Sequence, residues 1–210
     1  MTGFTYIRDP AEIYRQSFAT VSHEAALDAL PAAMRPVAMR LIHSCGMVDV
    51  LEDLAFSSGA AEAGVAALQS GASIFCDVEM VRSGVIARLL PSSNDVVCTL
   101  NDKRVADHAN AFGNTRSAAA VDFWDDRLDG AVVAVGNAPT ALFRLLERIL
   151  EGSPKPALVI GIPVGFVGAV ESKQALAAFG SDLNFMTVHG RRGGSAMASA
   201  VVNALAGGLS

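Results

Sequence analysis

From Ser73 onward, short apolar runs rich in β-branched residues alternate with stretches of helical periodicity, and this alternation constrains the fold more than any other feature. The runs are Ser73 to Asp77, Asp95 to Leu100, Ala131 to Val135, Ala157 to Gly161 and Phe185 to Val188. Helical stretches follow most of them: Asn114 to Leu128, Thr140 to Leu150, Ala169 to Phe179 and Ser195 to Ala206. Continuously apolar strands separated by helices imply a parallel sheet covered on both faces. The first seventy or so residues are helical in pattern. Asp9-Pro10 supplies a cap and first-turn proline ahead of Ala11 to Val21. Pro31 opens a second helix with Met34, Val37, Ala38, Leu41 and Ile42 on one stripe, which Gly46 ends or bends, and Ala60 to Gln69 supplies a third.

With no repeat, low-complexity tract or linker, the whole of 1–210 reads as one domain. Hydrophobic residues at 51% and charged residues at 18% exclude a disordered chain. A mean hydropathy of +0.38 raises the question of a membrane. The apolar runs, however, fall far short of the ~20 residues a bilayer needs. The start MTGFTYIRDPAEIY lacks a basic segment followed by an apolar one, so the expected location is the cytoplasm. Cys45, Cys76 and Cys98 form no CxxC pair and read as reduced core thiols. A formal net charge of -5 without any basic run argues against nucleic acid. It leaves room for a small anionic ligand in a local cationic pocket.

Ligands of parallel α/β sheets bind outside the carboxyl ends of the strands. The loops there are Gly136-Asn137-Ala138-Pro139-Thr140, then Gly161 to Gly168 leading to Lys173, then His189-Gly190-Arg191-Arg192-Gly193-Gly194-Ser195. One glycine loop alone is an ordinary turn. Three in succession, each opening a helix whose free N–H groups favour anions, point to an anion-binding rim. Cations at helix starts oppose the macrodipole, so Lys173, Arg191 and Arg192 are not there for helix stability. The rim candidates are Asn137, Thr140, Lys173, Arg191, Arg192, Gly193, Gly194 and Ser195.

No GxGxxG, P-loop, HExxH or GxSxG motif occurs, and the four histidines are scattered, so neither a nucleotide cofactor nor a metal site is indicated. Arg40 and His43 are three apart and share a helix face, whereas Cys45 points elsewhere, which disfavours a Cys–His nucleophile. Histidine can donate or accept a proton near neutrality, although one on an apolar helix can equally be structural. In Gly113-Asn114-Thr115-Arg116, Asn114 or Thr115 can cap a helix. Arg116 in its first turn is then placed to grip a carboxylate, or to be an ordinary surface residue.

The segments IRDPAEIYRQSF, RLIHSCGMVDV, IFCDVEMV, VVCTL, FGNTRSAAA, AVGNAPTALFRLLE, GIPVGFVGAVESK and GRRGGSAMASA occur in an order, from Tyr6 to Ala206, that resembles the precorrin-8X methylmutase (precorrin isomerase) family. The resemblance implies a three-layer α/β/α fold with a flavodoxin-like five-stranded parallel sheet and extra N-terminal helices. It also implies a homodimer with sites near the subunit interface, and no organic cofactor. The implied reaction moves a methyl group from ring carbon eleven to ring carbon twelve of precorrin-8X to give hydrogenobyrinate, in cobalamin biosynthesis. By the same resemblance His43 is the proton donor or acceptor, and Ser17 and Arg116 contact the substrate. Arg40 joins them on the helix-face argument. The expected partners are the anionic tetrapyrrole substrate and product, with direct hand-over to the next pathway enzyme. The alternatives are a cobalt-precorrin-8 methylmutase, a non-catalytic tetrapyrrole carrier and a nucleotide-dependent α/β enzyme.

Overall fold

In the computed structural model, which describes residues 3–207, one mixed sheet organises the chain. Its strands are β1 (Leu54–Phe56), β2 (Ile74–Cys76), β3 (Val96–Val97), β4 (Val132–Val135), β5 (Leu158–Gly161) and β6 (Phe185–Val188). The spatial order is β1-β6-β5-β4-β2-β3. Strands β2 to β6 pair in parallel, while β1 lies antiparallel on β6 with Leu54 opposite Val188. The expected five strands are therefore present, but the sheet has six. The sixth adds an antiparallel edge to a parallel sheet, as large α/β sheets often do.

Nine α-helices surround the sheet among the described residues: α1 (Pro10–Glu24), α2 (Arg35–Cys45), α3 (Ala60–Gln69), α4 (Glu79–Gly84), α5 (Val105–Phe112), α6 (Arg116–Val121), α7 (Pro139–Leu150), α8 (Ala169–Ala177) and α9 (Ser195–Leu205). The expected helix from Asn114 to Leu128 stops as α-helix at Val121, and a short 3₁₀ turn covers Asp125–Leu128. No helix among the described residues is long and apolar enough to cross a membrane.

Strands β4, β5 and β6 are buried along their whole length, which is why their sequences show no polar alternation. Alternate residues feed two cores. Ile74, Val132, Ile160 and Met186 meet Leu41, Leu68 and Val201 on one side. Phe75, Val133, Val159 and Phe185 meet Trp124, Leu142, Leu145 and Leu176 on the other. Each fully buried large aliphatic side chain contributes roughly 1.5–3 kcal/mol relative to exposure. Helices thus lie on both faces of the sheet.

Strand order reverses between β2 and β4: β3 lies to one side of β2 and β4 to the other. Such a switch point leaves a crevice outside the strands' carboxyl ends, where doubly wound sheets bind ligands. The loops carrying the candidate residues open there.

Candidate active site

The acid–base candidate is built by two helices. Helix α2 has Pro36 in its first turn and ends at Gly46, whose left-handed φ of 70° lets its N–H close on Ile42 at 2.7 Å. Helix α1 starts at the expected cap, with Ala11 N–H donating to Asp9 Oδ1 at 3.0 Å. Packed on α2, α1 brings Ser17 Oγ to 2.7 Å from His43 Nδ1. The imidazole is stacked with Tyr14, ring centroids 5.6 Å apart, and tilted against Phe18 at 5.1 Å. One turn away, the Arg40 guanidinium lies 5.9 Å from the Phe18 ring centroid. Burial, and secondarily the Arg40 charge, hold the His43 pKa below the usual histidine value. Both effects favour the neutral imidazole. Cys45 Sγ turns back to the Leu41 carbonyl at 3.3 Å, and burial raises its pKa. No Cys–His pair forms.

Arg40 and Ser195 line a common cleft of about 440 Å³ with Ser44, Met80, Gly84 and Ser199. Ser195 is the first residue of α9, and its Oγ is buried without a hydrogen-bond partner. A buried hydroxyl left unpaired is costly, and such groups mark ligand or water positions. Gly136 lies directly against the start of α9, since a Cβ there would meet Ser195 Cα at 2.8 Å. On the far side of the same loop, Thr140 Oγ1 is 2.8 Å from Thr115 Oγ1. Thr115 in turn caps α6 by accepting the Ala118 N–H, and Asn114 Oδ1 accepts the Thr115 N–H. Arg116 follows, exposed, with one donor at 3.1 Å from the Leu100 carbonyl. Asn137 is exposed between these flanks.

The expected cationic rim is thinner than its sequence suggests. Lys173 is fully buried. Its Nζ donates to the carbonyls of Gly190 (3.1 Å) and Arg192 (2.5 Å), and burial pushes its pKa down to about 8. It therefore braces the loop after β6 and offers no exposed charge. Arg192 is paired with Asp49 and Asp53, each at 2.6 Å. Arg191 is exposed and covers the Phe166 ring at 5.5 Å. Gly193 serves close approach between loops: a Cβ there would meet the backbone oxygens of Ile162 and Pro163. Gly194 N–H donates to Ile162 O at 2.9 Å. The loop after β4 likewise has its N–H groups engaged, by Asp77.

Sequence reasoning missed Tyr14, Phe18 and Asp77. The aromatic pair four apart, straddling Ser17, was the available signal for the first two. Nothing local marked Asp77.

Fold and site together describe an α/β protein with a mostly parallel sheet and a half-buried histidine, one helical turn from an arginine that lines a cleft. The family model for precorrin-8X methylmutase (CbiC) matches residues 12–207, and the chain belongs to this family. It is 58% identical to a precorrin-8X methylmutase of Pseudomonas aeruginosa, covering 96% of this chain and 97% of that one. It is 50% identical to one of Sinorhizobium sp, covering 98% of each. A cobalt-precorrin-8 methylmutase of Priestia megaterium is 34% identical over 93% of this chain and 87% of its own. The solved precorrin-8X methylmutase of Thermus thermophilus superposes with a TM-score of 0.84 at 39% identity, covering 93% of this chain and 94% of that one.

Proposed function

We propose that this enzyme moves the methyl group of precorrin-8X from ring carbon eleven to ring carbon twelve, giving hydrogenobyrinate, with His43 as the proton donor or acceptor. The carrying observation is the Ser17–His43 pair, 2.7 Å apart. Ser17 occupies Nδ1 and the two aromatic rings fix the plane, which leaves Nε2 to meet a ring nitrogen. The shift is intramolecular, so proximity is already present. A proton or hydrogen bond at the ring drains electron density from the migrating system, and general acid–base help of this kind contributes about 10²–10⁴-fold. Fixing the reactive tautomer supplies further gain.

The substrate is a flat apolar macrocycle fringed with carboxylates. Arg40, Arg116 and Arg191 with Asn114, Thr115, Asn137, Thr140 and Ser195 are its polar contacts. Lys173, Arg192, Gly193 and Gly194 act indirectly, by holding the loops. The relatives named for the metal-free ring share 58% and 50% identity, and those named for the cobalt ring 31–40%. This favours the metal-free substrate. The exposed apolar side chains of α1, Ile13 and Tyr14, together with Phe166 and Val167, support a homodimer that covers them. In this reading the whole chain is one cytoplasmic domain that passes its product to the next enzyme.

Purified protein should convert precorrin-8X with a change in visible spectrum, faster than it converts the cobalt ring. His43→Ala should lose turnover and retain ring binding. A variant keeping more than about a tenth of the wild-type rate sinks the assignment of His43. Binding without turnover by wild type would make the protein a carrier.

A further inference from the structure

Asp77 is a fully enclosed carboxylate, at 2% exposure. It follows the last residue of β2, at the edge of the switch-point crevice. Its oxygens accept from three successive backbone N–H groups some sixty residues away: Gly136 at 3.0 Å on Oδ1, Asn137 at 2.9 Å and Ala138 at 2.7 Å on Oδ2. Both oxygens act as acceptors, which is the geometry of the ionised group. Burial pushes its pKa up and the three N–H donors oppose that.

Burying a carboxylate carries a desolvation penalty that its hydrogen bonds must offset, so its presence at the ligand-binding end of the sheet points to a positional role. Three consecutive N–H groups at a helix start form a nest that captures anions. With Asp77 in it, that nest is closed to ring carboxylates, and the loop is held in one place. The loop is the link between two flanks of the site. Gly136 touches the start of α9 at Ser195, and Thr140 bonds Thr115 ahead of Arg116.

We propose that Asp77 is a positioning residue for ring binding: it fixes the loop at 136–138, and through it Asn137 and Thr140, between the Arg116 helix and Ser195. The proposal rests on the methylmutase reading for the identity of the ligand. Asp77→Asn retains one acceptor oxygen and turns an NH₂ toward an N–H donor, so at least one of the three bonds is lost.

The test is a visible-spectrum titration with hydrogenobyrinate, at a temperature where circular dichroism shows wild type and variants folded. Asp77→Asn should weaken product binding about tenfold and raise KM more than it lowers kcat. Asn137→Ala should also weaken binding, and the double variant should lose less than the two singles multiplied, because both act through one loop. In ring-free protein the amides of 136–138 should exchange hydrogen faster in Asp77→Asn. Should that variant not fold, Gly136→Ala leaves the Asp77 side chain in place but pushes the same loop off Ser195 and strains the Gly136 N–H bond to Asp77, and should show the same loss. Wild-type product affinity and KM in Asp77→Asn, or in Gly136→Ala, overturn the proposal, as do fully multiplicative effects with Asn137→Ala. Wild-type protein that neither binds nor converts the ring overturns the methylmutase reading instead.

Discussion

His43 and Lys173 are both ionisable groups depressed by burial, and each makes a distinct prediction. In the free enzyme His43 titrates below 6.5. An anionic ring brought against it favours the imidazolium, so its pKa should rise on product binding. Imidazole NMR titrations with and without hydrogenobyrinate measure this, and an unchanged midpoint would show that the ring's charge does not reach His43. For Lys173 the folded value of about 8 lies below the 10.5 of an unperturbed lysine. Between these values the unfolded chain binds more protons than the folded one. The stability of wild type relative to Lys173→Met should therefore increase as pH rises from about 8 to 10.5, by at most about 1.4 kcal/mol per unit. The full penalty remains below pH 8. Chemical denaturation of both proteins across that range gives the slope, and a flat difference would mean that Lys173 is solvated.

At the scale of elements, what was legible in the sequence followed burial. Strands β2, β4, β5 and β6 were found because burial keeps their sequences apolar, half-buried β3 was found through its β-branched run, and α3 was found with both of its ends. Strand β1 escaped because it has three half-buried residues, and its partner β6 lies about 130 positions away. Helix α4, at six residues, is too short for periodicity to register. In the site, Arg40 and His43 could be paired from helical spacing. Ser17, 26 positions from His43, could be paired with it only through the family resemblance. The role of Lys173 was misread because exposure is not written in a residue's type. Gly193 shows the same limit: its loop suggested a ligand, and the structure shows one backbone passing against another. A Cβ at 193 would lie 2.6 Å from Pro163 O. Gly193→Ala should thus push the loop after β6 away from the loop after β5 and weaken the Gly194–Ile162 bond. The expected cost is about 1–3 kcal/mol in denaturant unfolding, with weaker product binding because Ser195 opens the next helix. Unchanged stability would mean that the two loops do not touch in solution.

The whole molecule carries a net charge of -5, and the proposed ligand is an anion. On the proposed reading binding draws on a few local cations; Lys173 and Arg192 are engaged internally, whereas Arg116 and Arg191 are exposed. Substrate and product of the methyl shift carry the same peripheral carboxylates and differ only in one methyl position and in conjugation. Contacts made by these arginines should grip both rings alike. Uniform binding of this kind does not help the chemical step, and it should leave the enzyme holding its product, so that release is expected to limit kcat. Protein purified from cells that make hydrogenobyrinate should then carry coloured ring through size exclusion. Arg116→Ala should shed it more readily, and Arg116→Lys should recover only part of the hold, because lysine lacks the planar fork. In stopped-flow measurements a burst of conversion should precede a slower steady rate equal to product dissociation. Colourless protein, a steady rate without a burst, and a product Kd far weaker than that of a substrate analogue would together mean that the site discriminates at the migrated methyl, and that the arginines do not dominate ring affinity.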